Sequence, residues 1–144
     1  MTYFLIDTNV LSELRRPRPS ESVISFMKMQ PLDTLWACDI SFAEIRFGAE
    51  LRPDSVGRVI ILDWLDNIIR PLFEGRCLQV DEECWLRWKL LELEGRKERY
   101  TFPQPDLVIA AVALRHKLTV ATRDTAPFEK AGAAVFNPWI SAAP

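Results

Sequence analysis

The sequence contains little of what most zinc, nucleotide and thiol sites require. Its 144 residues include one histidine, His116, and three cysteines that form no CxxC pair. A His-rich zinc site is therefore excluded, and a Ser-His-Asp or Cys-His mechanism would have to use that one histidine. The five glycines are spaced so that neither GxGxxG nor GxxxxGK[ST] can be written, which removes the usual support for dinucleotide-binding and P-loop functions.

Long hydrophobic runs and an excess of one charge are also missing. The longest apolar runs, such as 59–62 and 107–114, are too short to cross a membrane. The first ten residues carry an acid, Asp7, and no basic segment of the kind that opens a secretory signal. The odd number of cysteines suits reduced thiols, so we expect a cytoplasmic protein with no membrane partner. The net charge of −2 does not indicate a nucleic-acid partner.

What is present is the balance of a globular protein, with 49% hydrophobic and 26% charged residues. The length and the absence of repeats or linkers predict a single domain over residues 1–144. Short apolar runs alternate with helical patterns, and a further helix is expected between the last two strands. The predicted strands are 3–6, 35–38, 77–80, 118–121 and 134–136, and the predicted helices are 8–14, 20–29, 41–51, 54–69, 82–94 and 105–116. This alternation predicts an α/β fold with a parallel sheet between two layers of helices.

Four acidic residues stand where such a sheet places its ligands, beyond the carboxyl ends of the strands. Asp7 and Asp124 follow the first and fourth strands, Glu44 lies in the first turn of a predicted helix, and Asp106 begins another. If they converge, their mutual repulsion would be relieved by Mg²⁺ or Mn²⁺, which prefer oxygen ligands. Carboxylates without histidine or cysteine favour metal-dependent phosphodiester hydrolysis.

Each acid also has a purely local explanation. Glu44 could complete a capping box with Ser41, and Asp106 could stabilise a helix N-terminus. Asp124 could form an Asx-turn, and Asp7 could cap the first helix. Taken singly, these local explanations are favoured. Taken together, four acids at one predicted edge of the sheet are explained about equally well by a metal site and by coincidence.

Four segments in order resemble one known family. The segments are LIDTNVLS at 5–12, SFAEIRFG at 41–48, DLVIAA at 106–111 and LTVATRD at 118–124. Together they resemble the PIN domain, and in particular the bacterial VapC toxins and their FitB-like branch. The resemblance covers nearly the whole chain and extends to the AVFNPW segment at 134–139.

The resemblance implies a fold, an activity and partners. The fold would be an α/β/α sandwich with a parallel sheet of about five strands. The activity would be that of a toxin in a type II toxin–antitoxin system, an endoribonuclease that cleaves RNA with Mg²⁺ or Mn²⁺. The partners would be a small antitoxin that blocks the site, operator DNA bound through the antitoxin, and a second copy in a homodimer or larger assembly.

The resemblance also assigns roles to six residues. The four acids would be the catalytic residues: Asp7, Asp106, Glu44 and Asp124. Asn9 and Thr122 would be supporting polar residues. The first three acids would hold the ion, while Asp124 would position water or a second ion. The sequence departs from the family at Pro127, where many relatives carry a further acid, and this leaves the direct role of Asp124 in metal binding open.

Two further groups of side chains each allow two interpretations. Four basic residues could bind the substrate or could simply lie on a solvated surface: Arg46, Arg96, Lys97 and Arg99. Trp85, Trp88 and Leu91 share a helical spacing that favours core packing, with a dimer interface as the alternative. His116 ends a predicted helix and receives no catalytic role.

Three other functions compete with the ribonuclease. A DNA-binding regulatory component could keep the fold, act with an antitoxin and have little nuclease activity of its own. A phosphohydrolase of the haloacid dehalogenase type would need an acid two residues after Asp7, where this chain has Asn9. A phospho-accepting receiver domain would need paired acids near the start, where only Asp7 is found. The four-acid pattern favours the nuclease.

Overall fold

A five-stranded parallel sheet forms the centre of the computed structural model, which describes residues 1–140. The strands lie in the order β3-β2-β1-β4-β5. Their bounds are β1 Phe4–Ile6, β2 Leu35–Cys38, β3 Cys77–Leu78, β4 Thr119–Ala121 and β5 Val135–Phe136. The predicted parallel sheet is confirmed, and the first strand in the chain lies at its centre.

Eight α-helices flank the strands within the described residues. Their bounds are α1 Thr8–Glu13, α2 Glu21–Met29, α3 Asp39–Glu50, α4 Ser55–Trp64, α5 Arg70–Leu72, α6 Glu82–Lys97, α7 Asp106–His116 and α8 Thr125–Lys130. A 3₁₀ turn at Leu32–Thr34 precedes β2, and a π-helical segment at Leu65–Ile69 joins α4 to α5. The order of strands and helices predicted from the sequence is confirmed.

Strand β1 is buried on both faces, as a central parallel strand should be. Phe4 and Ile6 pack into one hydrophobic cluster with α1 to α4, whereas Leu5 packs into a second cluster with α6 and α7. Helix α7 is buried from Leu107 to Ala113 and lies against the sheet on this second face. The sheet therefore separates two apolar layers, which gives the predicted α/β/α sandwich.

The strand register sets which polar residues meet at the edge of the sheet. Ile6 of β1 pairs with Ala121 of β4, so Asp7 and Thr122 leave adjacent strands side by side. The backbone amide of Asp7 still donates to the carbonyl of Ala121 at 3.0 Å. The pairing continues to the point where the two side chains project beyond the strands.

Helix α3 begins earlier than the sequence predicted. It starts at Asp39, directly after β2, with Cys38 at the N-cap. Ser41 lies inside the helix and its hydroxyl oxygen is buried without a hydrogen-bond partner. The expected start at Ser41 was wrong, and Glu44 lies in the second turn of the helix. The strand runs into the helix without a connecting loop, so no loop residue marks the boundary.

Two predicted helix ends were also wrong. The helix expected to stop before Pro71 continues through it, with Pro71 in the first turn of α5 directly after the π-helical segment, a position where the missing backbone N–H of proline is tolerated. The helix expected to end at Gly95 continues to Lys97. Gly95 serves a close approach instead, since a Cβ there would lie 2.8 Å from the carbonyl oxygen of Tyr100 and 2.9 Å from the Phe102 ring.

Among residues 1–140, no helix combines the length and apolar character that crossing a bilayer requires. A single domain over residues 1–144 stays a prediction, as its last four residues lie outside the described part of the chain.

Candidate active site

Asp7 lies at the carboxyl end of the central strand and is 5% exposed. Its Oδ1 accepts a hydrogen bond from the amide of Thr8 at 2.8 Å, and its Oδ2 accepts one from the Thr122 hydroxyl at 2.7 Å. Burial raises the pKa of Asp7 to about 6, with smaller contributions from the charges of Glu44 and Asp124, although both hydrogen bonds act in the opposite direction. The carboxylate is held in one orientation and is costly to ionise without a nearby cation.

Thr122 connects three parts of this edge through its hydroxyl group. The hydroxyl donates to Asp7 and accepts from the side-chain amide of Asn9 at 3.3 Å and from the backbone amide of Asp124 at 3.1 Å. One donor and two acceptor positions are all that a hydroxyl offers, so each is used. Asn9 in turn accepts from the amide of Arg123 at 3.4 Å. The two residues that the family resemblance marked as supporting polar groups contact each other, and Thr122 contacts the acid.

Glu44 faces this site from the second turn of α3. Its Oε1 accepts a hydrogen bond from the hydroxyl of Thr8 at 2.6 Å. Burial raises the pKa of Glu44, and the charge of Asp106 adds to the effect. A capping box with Ser41 is excluded because Ser41 lies within the helix, not at its N-cap. Thr8 therefore joins Glu44 to the segment that follows Asp7, a link that sequence spacing did not indicate.

Asp106 is the first residue of α7, and its position shows that this helix begins at the acidic edge of the sheet. Burial raises the pKa of Asp106 to about 6, followed by the charges of Asp7 and Asp124. Asp106 also lines an open cleft of about 540 Å³ with Asp124 and Arg123. Asp124 is exposed at the N-cap of α8 but makes no side-chain capping hydrogen bond.

The four acids are thus linked by electrostatic influence, each on at least one of the others. Within residues 1–140, no three of them bring carboxylate oxygens within 4.8 Å of one another. Their donors are all oxygen, which suits Mg²⁺ or Mn²⁺, and Mg²⁺ commonly keeps several waters between itself and its protein ligands. The donor chemistry and the raised pKa values of Asp7 and Asp106 fit a hydrated divalent ion.

The basic residues selected from the sequence lie on exposed surface. Arg96 forms an ion pair with Glu92 at 3.1 Å, and Lys97 forms one with Glu94 at 3.7 Å, both within α6. Arg46 and Arg99 are likewise exposed. No described contact joins these four to the acids, and their role in binding substrate stays a prediction.

Sequence reasoning missed two arginines that lie nearer the acids. Arg15 lines a groove with Thr8 and Glu44, while Arg123 lines the cleft of Asp106. Arg123 also stacks over the ring of Trp139, with its guanidinium carbon 5.1 Å from the ring centroid. The adjacency of Arg123 to Thr122 was the one available signal, whereas Arg15 becomes apparent only when α1 and α3 are brought together.

The tryptophans of α6 divide between core and surface. Trp88 and Leu91 pack against the second hydrophobic cluster, while Trp85 is 46% exposed and meets Trp88 edge-on. Core packing therefore accounts for Trp88 and Leu91, whereas Trp85 remains on the outer face of α6.

The sequence matches a known family over most of the chain. The PIN domain family model matches residues 4–134. The chain belongs to the PIN domain family. Among curated relatives with this fold, VapC ribonuclease Y4jK of Sinorhizobium fredii is 36% identical over 94% of this chain and 96% of the relative. Toxin FitB of Neisseria gonorrhoeae is 38% identical over 94% of this chain and 97% of the relative.

Solved PIN domain structures agree with the observed fold. The structure of FitAcB from Neisseria gonorrhoeae has a TM-score of 0.88 and 38% identity, over 94% of this chain and 98% of that one. FitAB bound to an IR36 DNA fragment has a TM-score of 0.86 and 36% identity, over 94% and 95% of the two chains. The family and the fold class inferred from the sequence motifs are confirmed.

Proposed function

We propose that this chain is the toxin of a type II toxin–antitoxin system and acts as a metal-dependent endoribonuclease. Asp7, Glu44 and Asp106 would hold Mg²⁺, or Mn²⁺ in its place. Asp124 would position the attacking water or a second ion. The relatives named as a ribonuclease and a toxin support this choice within the PIN family.

The observation that carries the proposal is the burial of neighbouring acids without a cation. Asp7 and Asp106 are far apart in the sequence, yet burial and, to a smaller extent, the charges of neighbouring acids raise the pKa of each to about 6. A purely structural carboxylate is normally paired with a cation or a set of donors. Asp106 has no hydrogen bond or ion pair among the described contacts, so a divalent cation would supply the missing partner.

The protein side chains would divide the work as their contacts suggest. A divalent ion would supply Lewis-acid activation of water and neutralise phosphate charge. Thr122 fixes the orientation of the Asp7 carboxylate, and Thr8 does the same for Glu44. The exposed Asp124 carboxylate is free to accept a hydrogen bond from the attacking water. Arg15 and Arg123 lie where they could bind RNA phosphates on either side of the acids.

Two exposed apolar surfaces suit the proposed protein partners. The outer faces of α3 and α4 expose apolar side chains that we assign to the antitoxin: Phe47, Leu51, Val56, Val59 and Ile60. The outer face of α6 exposes another set that we assign to a second copy of the chain: Trp85, Leu86, Leu90 and Leu93. Apolar residues grouped in this way mark protein interfaces. Operator DNA would be bound through the antitoxin.

Cleavage of a mixed RNA pool by antitoxin-free protein tests the activity. We expect cleavage with Mg²⁺ or Mn²⁺, none with chelator, and none by Asp7→Asn or Asp106→Asn proteins. Asp33→Asn is the matched control, since Asp33 is an exposed acid at the opposite edge of the sheet and should leave cleavage unchanged. Mapping the ends of the products would identify the preferred RNA sites.

The same experiment separates the nuclease from the regulatory alternative. Folded, antitoxin-free protein that cuts no RNA but still joins an antitoxin on operator DNA would support the regulatory function. Equal cutting by the wild type and both aspartate variants would contradict the assigned site.

A further inference from the structure

A second group of metal-binding side chains lies away from the acidic site, where α6 begins and α7 ends. The group consists of an Asp81 carboxylate, the Cys84 thiol and the His116 imidazole, whose ligand atoms all lie within 4.8 Å of one another. Among residues 1–140 it is the one group of three such residues this close together. Asp106 and His116 stand at opposite ends of the eleven-residue α7, about 15 Å apart.

Local structure fixes each member of this group independently. Asp81 is the N-cap of α6, and its Oδ1 accepts a hydrogen bond from the amide of Cys84 at 2.9 Å. This places the buried Cys84 one turn into the helix, beside its own cap. His116 is the last residue of α7, after which Lys117 takes a left-handed conformation and turns the chain toward β4. The packing of α6 along α7 brings the two helix ends together.

We propose that Asp81, Cys84 and His116 form a binding site for Zn²⁺. Sulfur, nitrogen and oxygen donors together suit a tetrahedral Zn²⁺ ion, with the fourth position left to water. A thiolate and an imidazole are poor ligands for Mg²⁺, so this ion would not compete with the one at the acidic site. Oδ1 of Asp81 accepts the capping hydrogen bond, so its other carboxylate oxygen remains available to bind the metal.

The protonation state of Cys84 agrees with binding that is coupled to proton release. Burial raises the pKa of the Cys84 thiol, so the metal-free residue is uncharged near neutral pH. Zn²⁺ binding forms the sulfur–zinc bond and releases the thiol proton to solvent. Hydrogen bonds from Cys84, with a smaller contribution from the Arg115 charge, lower the pKa of Asp81 and keep its carboxylate ionised.

The site would connect two helices that pack along each other. Metal bound there would join the first turn of α6 to the last turn of α7. Helix α7 carries Asp106 at its other end, so the ion would brace the helix that presents this acid. The expected effect is on stability and on the order of the helix pair, and the proposal does not depend on the chain being a nuclease.

Cobalt titration of the full chain, stripped of metal and kept reduced, tests the site directly. Thiolate–Co²⁺ bonds give a near-ultraviolet charge-transfer band that carboxylate sites lack. We expect this band to appear in the wild type, to saturate at one equivalent per chain and to disappear on adding Zn²⁺. Zn²⁺ should also raise the melting temperature of the wild type.

Variants distinguish a bound metal from a helix cap beside a buried thiol. Cys84→Ser should abolish the band, and His116→Gln should weaken Co²⁺ affinity at least about 100-fold, since loss of supporting contacts alone costs 10- to 100-fold. Asp81→Asn keeps a good N-cap and should weaken binding without unfolding the chain. Cys77→Ser, which alters an exposed thiol elsewhere, is the control and should keep the band.

Several outcomes would overturn the proposal. They are a wild-type protein without the band, a band retained in Cys84→Ser, or one lost equally in Cys77→Ser. Asp7→Asn separates the two metal sites: it should abolish RNA cleavage while leaving the cobalt band intact. A band without RNA cleavage would leave the zinc site standing and remove only the proposed function.

Discussion

The hydroxyl of Thr122 donates a 2.7 Å hydrogen bond to Oδ2 of Asp7, although 115 residues separate the two in sequence. The bond follows from the parallel register of β1 and β4, which ends with these side chains next to each other. The bond lowers the pKa of Asp7 and so offsets part of the increase that burial causes. An uncharged side chain thus helps to set the pKa and the orientation of the most buried acid in the candidate site.

Replacing Thr122 tests that control. Thr122→Val keeps the shape but removes the donor to Asp7 and both acceptor positions. A hydrogen bond to a charged group contributes about 1.5–3 kcal/mol, so we expect RNA cleavage to fall about 10- to 100-fold. Thr122→Ser retains the hydroxyl and should keep most of the activity. Equal rates for the valine and serine variants, measured at saturating Mg²⁺ on folded protein, would remove Thr122 from the site.

Asp106→Asn should stabilise the metal-free protein in a pH-dependent way. The folded pKa of about 6 lies above the ordinary aspartate pKa of 3.8, so ionising this carboxyl opposes folding. This destabilisation is absent below about pH 4, grows between about pH 4 and 6, and reaches its full size above about pH 6. In chelator, the variant should therefore melt at the wild-type temperature near pH 4 and above it near pH 7.5.

Magnesium should act against this difference in melting temperature between the two proteins. Added Mg²⁺ should raise the melting temperature of the wild type more than that of Asp106→Asn, because the variant lacks a ligand. The exposed-acid control, Asp33→Asn, should follow the wild type at every pH. An Asp106→Asn protein less stable than the wild type at neutral pH in chelator would contradict the electrostatic account.

Arg15 and Arg123 should contribute more to RNA binding than Arg96. Both line the grooves that contain the acids, whereas Arg96 is paired with Glu92 on the surface of α6. We expect Arg15→Gln and Arg123→Gln to raise KM severalfold and to reduce the salt dependence of binding. Arg96→Gln serves as the comparison, and a larger effect there would restore the sequence-based interpretation.

Two glycines within helices should respond to alanine in opposite directions. Gly48→Ala in α3 meets no atom within 4 Å and should stabilise the protein by about 0.5–1 kcal/mol, since alanine favours the helix. Gly95→Ala in α6 would place its Cβ 2.8 Å from a backbone oxygen and should destabilise it. Urea unfolding of the two variants measures both signs, and a stabilising Gly95→Ala would show that the Tyr100 segment can move away.

The sequence predicted most of the fold because local patterns and the strand order agree. Strands, helices and the positions of the four acids followed from periodicity and from the parallel-sheet rule. Errors arose where tertiary contacts override local signals. Pro71 lies in a helix directly after a π-helical segment, and Gly95 lies inside a helix where the Tyr100 carbonyl oxygen leaves no room for a Cβ.

The candidate site was harder to predict than the fold. Asp7 and Asp106 stand next to a predicted strand and at the start of a predicted helix, so topology indicated that they could meet, and the family resemblance added Thr122. The hydrogen bond from Thr8 to Glu44 and the position of Arg15 depend on how α1 and α3 cross. No periodicity encodes that crossing. The Asp81, Cys84 and His116 group likewise joins residues whose proximity arises only when two helices pack.

The central position of β1 has a consequence for protein synthesis. The strand is made well before one of its two neighbours, β4, which comes from residues 119–121. Asp7 therefore stays without Thr122, and without the charges of Asp106 and Asp124, until these later residues have been made. A nascent chain that has not reached β4 would carry no complete acidic site, so a ribonuclease built this way could not damage RNA before that strand has been translated.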